Sequence, residues 1–548
     1  MKKVYVVILL NIICMWGNAQ NFQWAKREGK WAYDYGYGIA TDNNGNVYVS
    51  GKYEENGAYF SGYTVTCSDN HDMFLAKYAS DGAIQWVRTG GGNLGDYSET
   101  MACDGANYVY VAGEIEGYGN VITFPGSTAS LTCVGDNDIF IVKYDLDGNL
   151  IWAKSDGWYK SEKALGITYD NSGNIFICGY FSDTTKINGT QIIGAGGRDI
   201  YVAKYDANGV FQWIKTAGSS GRDEAKSVKC DAAGNVYIAG MMSNGVNFGA
   251  QTLTCSPNYY DAFVAKYSPT GNLLWVKKGG GDYDDVAWSL VLDSQEKIYV
   301  TGEFNAYALF GTNALTTTGN ANVFVVSYDA SGNELWAKGA GGSLNDRARG
   351  IGTDGTNLFI TGQFGSTAYF DSHSITAVDS SDVFIVALNN SGSFKWATSV
   401  GGPADIYEPL GYESGIAVCA QPSGNVYVTG GLLDGGTFGS MALPAFSRTD
   451  IFVTMLNSEP VGITERNGVL SIGIYPNPGN GVFVLNFNEP QKNVEVSVFN
   501  PMGQLIQKVN NKPSPTYIID LTTEPEGVYF AEVKSGESVI RKKLIVQH

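Results

Sequence analysis

The chain has 548 residues, of which 54 are acidic and 36 are basic, and its formal net charge is −18. Leaving out Lys2 and Lys3, the span before residue 461 holds 26 basic and 46 acidic residues, a net charge of −20. Nucleic acids and anionic membranes bind basic footprints, so this charge argues against both as partners. Glycine is abundant, at 70 residues, and no stretch shows helical periodicity, which favours an all-β chain.

The N-terminal residues 1–19 have the pattern of a secretory signal peptide. Lys2 and Lys3 precede an apolar run over 4–16, and Gly17-Asn18-Ala19 places small residues where a signal peptidase cleaves. The apolar run is too short for a membrane anchor, and we expect no membrane span elsewhere. The sequence therefore predicts a secreted protein.

Tryptophan recurs at intervals of 60 to 66 residues, which indicates an internal repeat. The series is Trp24, Trp86, Trp152, Trp213, Trp275, Trp336 and Trp396. Two strand patterns keep step with it, a Gly-terminated segment first seen at 47–51 and an acid-led segment first seen at 72–78. Each repeat holds four short segments of alternating hydrophobicity, the strand number of a β-propeller blade.

The phase of the tryptophans predicts how the array ends. Trp24 precedes the first Gly-terminated strand, whereas the seventh repeat ends at 450–456 without a tryptophan strand of its own. An N-terminal strand that pairs with the last repeat removes the open ends that a solenoid would have to cap. We therefore predict a seven-bladed β-propeller over 20–457, closed by the strand around Trp24.

An acidic residue recurs in every repeat, five residues before the first apolar position of the first strand. The series is Asp34, Asp96, Glu162, Asp223, Asp285, Asp346 and Glu413. In a propeller this segment joins the outer strand of one blade to the inner strand of the next, so we expect these acids around one mouth of the channel. Aromatic residues, among them Tyr35, Tyr97 and Trp288, lie nearby in sequence.

Two roles are open for these acids. Carboxylates at a channel mouth bind cations or accept hydrogen bonds from sugar hydroxyls, while aromatic rings stack on the sugar. Alternatively, each carboxylate accepts backbone N–H groups and fixes the turn between blades. Calcium is also suggested by the acidic run 145–149, but turn chemistry explains that run better because its counterparts lose the second acid. We predict no cofactor and leave metal binding open.

Histidine and cysteine restrict the catalytic options. The histidines, His71, His373 and His548, are too scattered for a triad or a multi-histidine zinc site, and the cysteines form no close pair. Acids and tyrosines are plentiful, so carboxylate pairs and tyrosine nucleophiles remain open.

The pattern changes after the last repeat. Residues 458–469 form a short linker, and residues 470–548 form a β-rich module whose alternation predicts a small antiparallel sandwich. Its motifs are Tyr475-Pro476-Asn477-Pro478, an Asn-Pro-x-Gly turn that ends at Gly503, and a basic last strand over 541–546.

In these motifs the module resembles the type A C-terminal sorting domain of the Bacteroidetes type IX secretion system. The resemblance implies export across the outer membrane to the cell surface or the medium, with the type IX machinery as partner. It also implies that Tyr475, Pro476, Asn477, Pro478 and Gly503 form the sorting motif.

The repeat array resembles the SBBP-type β-propeller repeat proteins, which implies a fold and leaves the activity open. Three functions fit the sequence: a secreted or surface-displayed scaffold for binding and adhesion, a polysaccharide-active hydrolase or lyase that uses carboxylates or tyrosine, and a structural surface component. The binding scaffold, with a glycan or a surface protein as ligand, is the hypothesis that we prefer over catalysis.

Overall fold

Alternating side chains and Gly-containing turns build this chain from short antiparallel strands, and no helix occurs among the residues described. The structure is a computed structural model that describes residues 22–30, 32–54, 57–67, 70–402, 413–433, 435–444, 448–458, 472–487, 494–500, 504–510, 516–535 and 538–547. The predicted signal peptide, most of the predicted linker and Gly503 lie outside these residues. The chain divides into two compact units, Met1–Pro460 and Val461–His548.

The first unit contains seven four-stranded sheets, and each is given below together with any short hairpin that follows its second strand in the chain. The four strands are hydrogen-bonded in chain order in sheets 1 to 6, whereas the fourth strand of sheet 7 comes from the N-terminus. The hairpins given with sheets 5 and 6 pair with the last strand of the preceding sheet. Strand β1 (Phe22–Glu28) comes first, and sheets 1 to 3 follow it. Sheet 1 contains β2 (Tyr35–Thr41), β3 (Val47–Glu54), β4 (Ala58–Phe60), β5 (Tyr63–Val65), β6 (His71–Tyr78) and β7 (Ile84–Gly90). Sheet 2 contains β8 (Asp96–Cys103), β9 (Tyr108–Glu116), β10 (Val121–Thr123), β11 (Ser130–Thr132), β12 (Asn137–Asp145) and β13 (Leu150–Asp156). Sheet 3 contains β14 (Glu162–Tyr169), β15 (Ile175–Ile187), β16 (Thr190–Tyr205) and β17 (Phe211–Ala217).

Sheets 4 to 7 repeat the plan. Sheet 4 contains β18 (Glu224–Cys230), β19 (Val236–Met242), β20 (Val246–Asn247), β21 (Thr252–Leu253), β22 (Asp261–Tyr267) and β23 (Leu273–Gly281). Sheet 5 contains β24 (Val286–Leu292), β25 (Ile298–Phe304), β26 (Tyr307–Phe310), β27 (Asn313–Thr316), β28 (Asn322–Tyr328) and β29 (Glu334–Gly342). Sheet 6 contains β30 (Arg347–Thr353), β31 (Asn357–Phe364), β32 (Thr367–Phe370), β33 (His373–Thr376), β34 (Asp382–Asn389) and β35 (Phe394–Val400). Sheet 7 contains β36 (Ser414–Ala420), β37 (Asn425–Leu433), β38 (Gly436–Phe438), β39 (Met441–Leu443) and β40 (Thr449–Asn457).

The fourth strand of sheet 7 is β1, the strand that carries Trp24. It pairs antiparallel with β40, with Ala25 opposite Thr454. The Thr454 hydroxyl donates to the Trp24 carbonyl at 2.8 Å. The two ends of the repeat array therefore share one sheet, as the phase of the tryptophans predicts.

Neighbouring sheets pack face to face through buried apolar side chains. The first strand of each sheet contacts the first strand of the next, and β36 of sheet 7 contacts β2 of sheet 1. One core cluster accordingly joins Val49 and Phe74 of sheet 1 to Ile451 and Val453 of sheet 7. The core of the first unit is thus divided among the interfaces between sheets.

Five of the repeated tryptophans form a hydrogen bond to the following sheet. The Trp24 indole N–H donates to the Ser80 carbonyl, 2.9 Å away in the β6–β7 turn of sheet 1. The same bond to the following sheet recurs at Trp213, Trp275, Trp336 and Trp396. At Gly82, with φ +81°, a Cβ would lie 2.7 Å from the Trp24 ring, so this turn requires glycine both for its conformation and for the close approach.

The second unit consists of β41 (Ile472–Tyr475), β42 (Val482–Phe487), β43 (Val494–Phe499), β44 (Leu505–Asn510), β45 (Thr516–Asp520), β46 (Gly527–Ser535) and β47 (Ser538–Val546). They form two antiparallel sheets, β41-β42-β45 and β44-β43-β46-β47. A buried cluster that includes Phe483, Ile519, Val496 and Leu544 draws residues from both sheets. This arrangement is the sandwich that the alternation predicts.

Candidate functional site: the cavity between the first strands

The first strands of all seven sheets line one cavity of about 440 Å³, here called the seven-strand cavity. A volume of this size suits a small organic ligand such as one or two sugar rings. An adjoining cavity of about 480 Å³ lies further along the same strands and shares Ile39, Met101, Lys229, Ile351 and Val418 with it. The two cavities together follow the length of the first strands.

Every first strand contains a β-bulge at the same place, and the bulged residue faces this cavity. In sheet 6, for example, Ala348 pairs with Gly362 and Gly350 pairs with Thr361, so Arg349 has no partner on β31. The unpaired residues are Tyr37, Glu99, Leu165, Lys226, Trp288, Arg349 and Ile416, and all of them line the seven-strand cavity. We call them the bulge set. Bulges are a common device for aiming side chains into sites.

Small residues flank each bulge because the first strands are crowded against one another. The flanking pairs are Gly36/Gly38, Ser98/Thr100, Ala164/Gly166, Ala225/Ser227, Ala287/Ser289, Ala348/Gly350 and Gly415/Ala417. At Gly38 a Cβ would lie 2.6 Å from the Met101 side chain of the next sheet. The bulge set is thus the one variable position between two restricted ones.

Cationic and aromatic side chains share one side of the cavity. The Arg349 guanidinium carbon lies 3.8 Å from the centroid of the Trp288 ring, and Lys226 Nζ lies 4.8 Å from it. The Trp288 indole N–H donates to Glu303 at 3.1 Å, which fixes the ring between the two cations. Cation–π contacts of this kind stabilise charge away from bulk water.

Sheets 1 and 2 provide tyrosine and carboxylate on the same cavity. The Tyr35 and Tyr37 rings are stacked, with centroids 5.8 Å apart and an interplanar angle of 9°. Glu99 pairs with Lys163 at 3.6 Å. Burial raises the pKa of the Tyr37 hydroxyl well above its usual value, so this group is a neutral donor and acceptor inside the cavity.

The seven acids of the sequence series lie elsewhere, at the junctions between sheets. We call Asp34, Asp96, Glu162, Asp223, Asp285, Asp346 and Glu413 the junction acids; all are buried. In six of them, Asp34, Asp96, Glu162, Asp223, Asp285 and Asp346, a carboxylate oxygen accepts the backbone N–H four residues earlier. In Asp34, Asp223, Asp285 and Asp346 the other oxygen accepts a backbone N–H at the end of the second strand or one residue beyond it. These bonds tie the incoming segment to the sheet that it enters.

The junction acids are electrostatically strained. Burial raises the pKa of Asp34, Asp96, Glu162 and Asp285 each to about 8, more than their backbone N–H bonds lower it. A second carboxylate at the start of a third strand adds repulsion, as Asp450 does to Asp34 and Asp72 does to Asp96. The geometry thus matches the turn-fixing role, and ligand binding by the junction acids stays a prediction.

Metal binding has little geometric support. Among the residues described, no group of three or more His, Cys, Asp or Glu side chains could hold a metal ion. In the run suggested for calcium, Asp145 Oδ1 accepts the N–H groups of Asp147 and Asn149 at 3.0 and 2.8 Å, which is a turn motif. The cysteines in the described part are all free thiols.

The sorting motif of the second unit is attached to the last strand. Asn477 Oδ1 accepts the N–H of Ile545 at 2.9 Å, and its amide N–H donates to the Lys543 carbonyl at 2.6 Å. Tyr475 is exposed. Pro476 and Pro478 lie on either side of Asn477, so the predicted sorting motif presents one exposed tyrosine ring beside a hydrogen-bonded amide.

The bulge set escaped sequence reasoning because it does not repeat. Residues that recur in every repeat, such as the junction acids, are scaffold positions. The bulge set can be recognised in sequence by a triplet in which a variable residue lies between two small ones, as in Ala348-Arg349-Gly350. The variable residue comes three positions after each junction acid. In sequence, Trp288 and Tyr35 are recognisable only as neighbours of the junction acids, but in the structure both line the cavity.

Two segments of the chain match known families. Residues 473–547 match the secretion system C-terminal sorting domain, and residues 23–52 match the β-propeller repeat. The chain therefore carries a type IX sorting domain and an SBBP repeat, which confirms both resemblances. The sorting domain supports secretion to the cell surface or the medium. A search of the described residues finds no helix long and apolar enough to cross a membrane.

Longer proteins share part of the sequence. An uncharacterized WD repeat-containing protein of Acanthamoeba polyphaga mimivirus is 22% identical over 475 residues, which cover 68% of this chain and 34% of that protein. The regulatory protein FlaEY of Caulobacter vibrioides is 26% identical over 172 residues, which cover 30% of this chain and 18% of that protein. The chain thus spans about a third of the first relative and less of the second.

A solved structure of a protein of unknown function from Bacteroides thetaiotaomicron aligns with 77% of this chain and with all of its own. The identity is 11% and the TM-score is 0.21, so this likeness carries no argument about fold or function.

Proposed function

We propose that the seven sheets are the blades of a closed β-propeller that the type IX system exports, and that this propeller is a surface or secreted scaffold that binds a glycan in the seven-strand cavity. Closure is supported by the pairing of β1 with β40 and by the contact of β36 with β2. Export is supported by the sorting domain at 473–547.

The bulge set is the observation that carries the binding role. Seven equivalent positions on seven strands face one cavity, and they differ in charge, size and polarity. A position that only held the scaffold would be filled alike in every sheet, as the junction acids are. A ligand without sevenfold symmetry requires different contacts from each strand, which is what these positions provide.

We prefer binding over catalysis because the cavity lacks a pair of carboxylates among its described lining residues. Glycoside hydrolysis uses two carboxylates placed across a sugar bond. Among the described residues that line the seven-strand cavity, Glu99 is the one acid, and it is paired with Lys163. The junction acids are engaged with backbone N–H groups instead.

A glycan array tests the binding role. The full chain should bind at least one class of immobilised glycan, and Tyr37→Ala with Trp288→Ala should reduce that binding at least tenfold because both side chains line the cavity. A thermal melt of the double variant checks that it is folded. Failure to bind any glycan, or binding that the double variant retains, contradicts this site; release of soluble saccharide would favour the hydrolase alternative.

Cell fractionation tests export. Deletion of 461–548 should keep the chain inside the cell envelope, whereas the full chain should be found at the surface, where external protease degrades it. Surface exposure of the deletion variant would contradict type IX export.

A further inference from the structure

Cations are concentrated on the side of the cavity formed by sheets 4, 5 and 6. Lys226, Trp288 and Arg349 are the bulge residues of these three adjacent sheets, and all line the seven-strand cavity. Lys229, on the same strand as Lys226, also lines it. This local excess of positive charge contrasts with the net charge of −20 over the span before residue 461.

The ion pairs on this side leave positive charge uncompensated. Glu224 is shared by Lys226, by Arg198 at 2.6 Å and by Arg222 at 2.5 Å. One carboxylate thus pairs with three cations, and the group of four side chains has a net charge of two positive units. Arg198 and Arg222 are 37% and 47% exposed, whereas Lys226 is 10% exposed and lines the cavity, so Lys226 is the cation of this cluster that an anion in the cavity would meet.

The second carboxylate on this side, Glu303, is already paired with a cation other than Arg349. Glu303 forms an ion pair with Arg347 at 2.5 Å and accepts the Trp288 indole N–H. Arg349 forms no hydrogen bond or ion pair with any described side chain, and its contact is the face of Trp288. Its guanidinium N–H donors are therefore available to a ligand in the cavity.

Removal from water destabilises the charged forms of Arg349 and Lys226. Burial lowers the pKa of Arg349 and of Lys226 below their usual values. An oxyanion beside them would restore the lost stabilisation, since charge-assisted bonds to guanidinium and ammonium groups are among the strongest in proteins.

On the basis of the proposed function, we infer that the sector formed by Lys226, Trp288 and Arg349 binds the carboxylate or sulfate group of an acidic sugar. Arg349 provides the planar donor pair that suits an oxyanion, and Lys226 adds a point charge on the other side of Trp288. The Tyr37 hydroxyl and Glu99 on the remaining wall are suited to the neutral hydroxyls of the sugar. A short ligand is favoured, because the negative exterior repels long polyanions.

Isothermal titration of the full chain tests this site with glucuronic acid, glucose 6-sulfate and neutral glucose. Both acidic sugars should bind at least tenfold more tightly than glucose, and their affinity should fall as sodium chloride is raised, because exposed parts of a charged site are screened. Equal affinity for glucose, or no dependence on salt, overturns the inference without any variant.

Two substitutions locate the site. Arg349→Met and Lys226→Met should each weaken acidic-sugar binding at least tenfold and leave binding of glucose within twofold. Lys338→Met is the matched control, because Lys338 lies on the outer strand β29, 40% exposed, and should leave both affinities unchanged. Acidic sugars that bind these variants as they bind the wild type overturn the assignment.

The outcomes separate this inference from the proposed function. Glucose or other neutral glycans that bind as tightly as acidic sugars, with binding lost in Tyr37→Ala, would overturn the anion sector and keep the binding scaffold. Absence of binding for every sugar and every arrayed glycan would overturn both.

Discussion

Asp346 directly precedes strand β30 of sheet 6 and Arg349 lies on it, three residues later, yet they belong to two different kinds of position. Asp346 is buried and accepts the N–H groups of Gly342 and Gly365, and an acid occupies its equivalent in every sheet. Arg349 projects from a bulge into the cavity, and its equivalents are chemically unlike one another.

This contrast shows that scaffold positions and ligand-facing positions are separate in this repeat protein. At six of the junctions a carboxylate accepts the backbone N–H four residues earlier, so one solution is used repeatedly. A ligand in the shared cavity has no such symmetry, so its contacts must differ from sheet to sheet. Repetition therefore indicates structure in this chain, and variation at a repeated backbone position indicates function.

The largest expected effect is loss of stability when a junction acid is removed. Asp223 accepts bonds from the backbone N–H and the hydroxyl of both Ser219 and Ser243. Asp223→Ala removes the acceptor of both backbone N–H groups, while the two hydroxyls keep their bond to each other, and it should lower the free energy of unfolding by about 3 kcal/mol or more. Urea unfolding measures it.

Asp206→Ala is the matched control for Asp223→Ala. Asp206 accepts two backbone N–H groups in an exposed turn, so its loss should cost about 1 kcal/mol. A smaller cost for Asp223→Ala than for Asp206→Ala would break the distinction between junction acids and ordinary turn residues.

The next effect is a decrease of stability with rising pH. The pKa of Asp34, Asp96, Glu162 and Asp285 is raised to about 8 by burial, so the folded chain holds protons that the unfolded chain releases. This stabilisation is complete below the unfolded pKa of about 4 and is lost as the pH rises through the folded value. Each carboxyl then contributes a slope of about −1.4 kcal/mol per pH unit in the free energy of unfolding between these limits.

Urea unfolding at about pH 5.5, 7 and 8.5 measures this slope. Asp285→Asn removes one titrating group and should flatten the slope, while Asp145→Asn should not, because the pKa of Asp145 is lowered by its turn bonds and it titrates below the window. Stability that rises over this range would show that the junction acids are ionised in the folded chain.

A third prediction concerns a repeated residue whose bond is not repeated. Trp24→Phe removes the indole N–H that donates to Ser80 and should cost about 1 kcal/mol. The Trp86 indole nitrogen is buried and makes no hydrogen bond with the described residues, so Trp86→Phe should cost less. Thermal or urea unfolding of both variants compares them; a larger cost for Trp86→Phe would show that the bond is not what position 24 contributes.

The smallest effect on stability is expected in the bulge set. Arg349→Met removes a half-buried cation that has no ion-pair partner among the described residues and keeps an apolar chain against Trp288. The free energy of unfolding should change by less than about 1 kcal/mol. A loss as large as that of Asp223→Ala would assign Arg349 to the scaffold.

Much of the fold follows from the sequence because strands, turns and their repetition are local properties. The phase of Trp24 was sufficient to place β1 beside β40, since one unpaired strand at each end has one economical partner. The burial of Asp96 was not predictable, because a carboxylate at a turn faces the backbone or the solvent according to the neighbouring sheet. Asp96 is surrounded by residues that are distant in sequence: Asp72 of sheet 1 repels it, and the Asn120 amide donates a hydrogen bond to it.

The bulge set was harder to predict for a related reason. A bulge shifts register by one residue, so the alternation that identifies inward positions fails where the site begins. Glu99, for example, is the unpaired residue between Ser98 and Thr100, and the structure places it against the cavity. Sequence alternation alone could not separate it from surface acids.

One set of urea titrations on sheet 6 tests whether the repeated acids hold the scaffold while the varied bulge residues bind the ligand. Urea unfolding of Asp346→Ala and Arg349→Ala is measured with and without saturating glucuronic acid, since a ligand bound only by the folded chain raises the midpoint. Asp346→Ala should unfold at a lower urea concentration and keep the ligand-induced shift, whereas Arg349→Ala should keep the midpoint and lose the shift. The reverse pattern, or loss of the shift in both variants, would contradict the account.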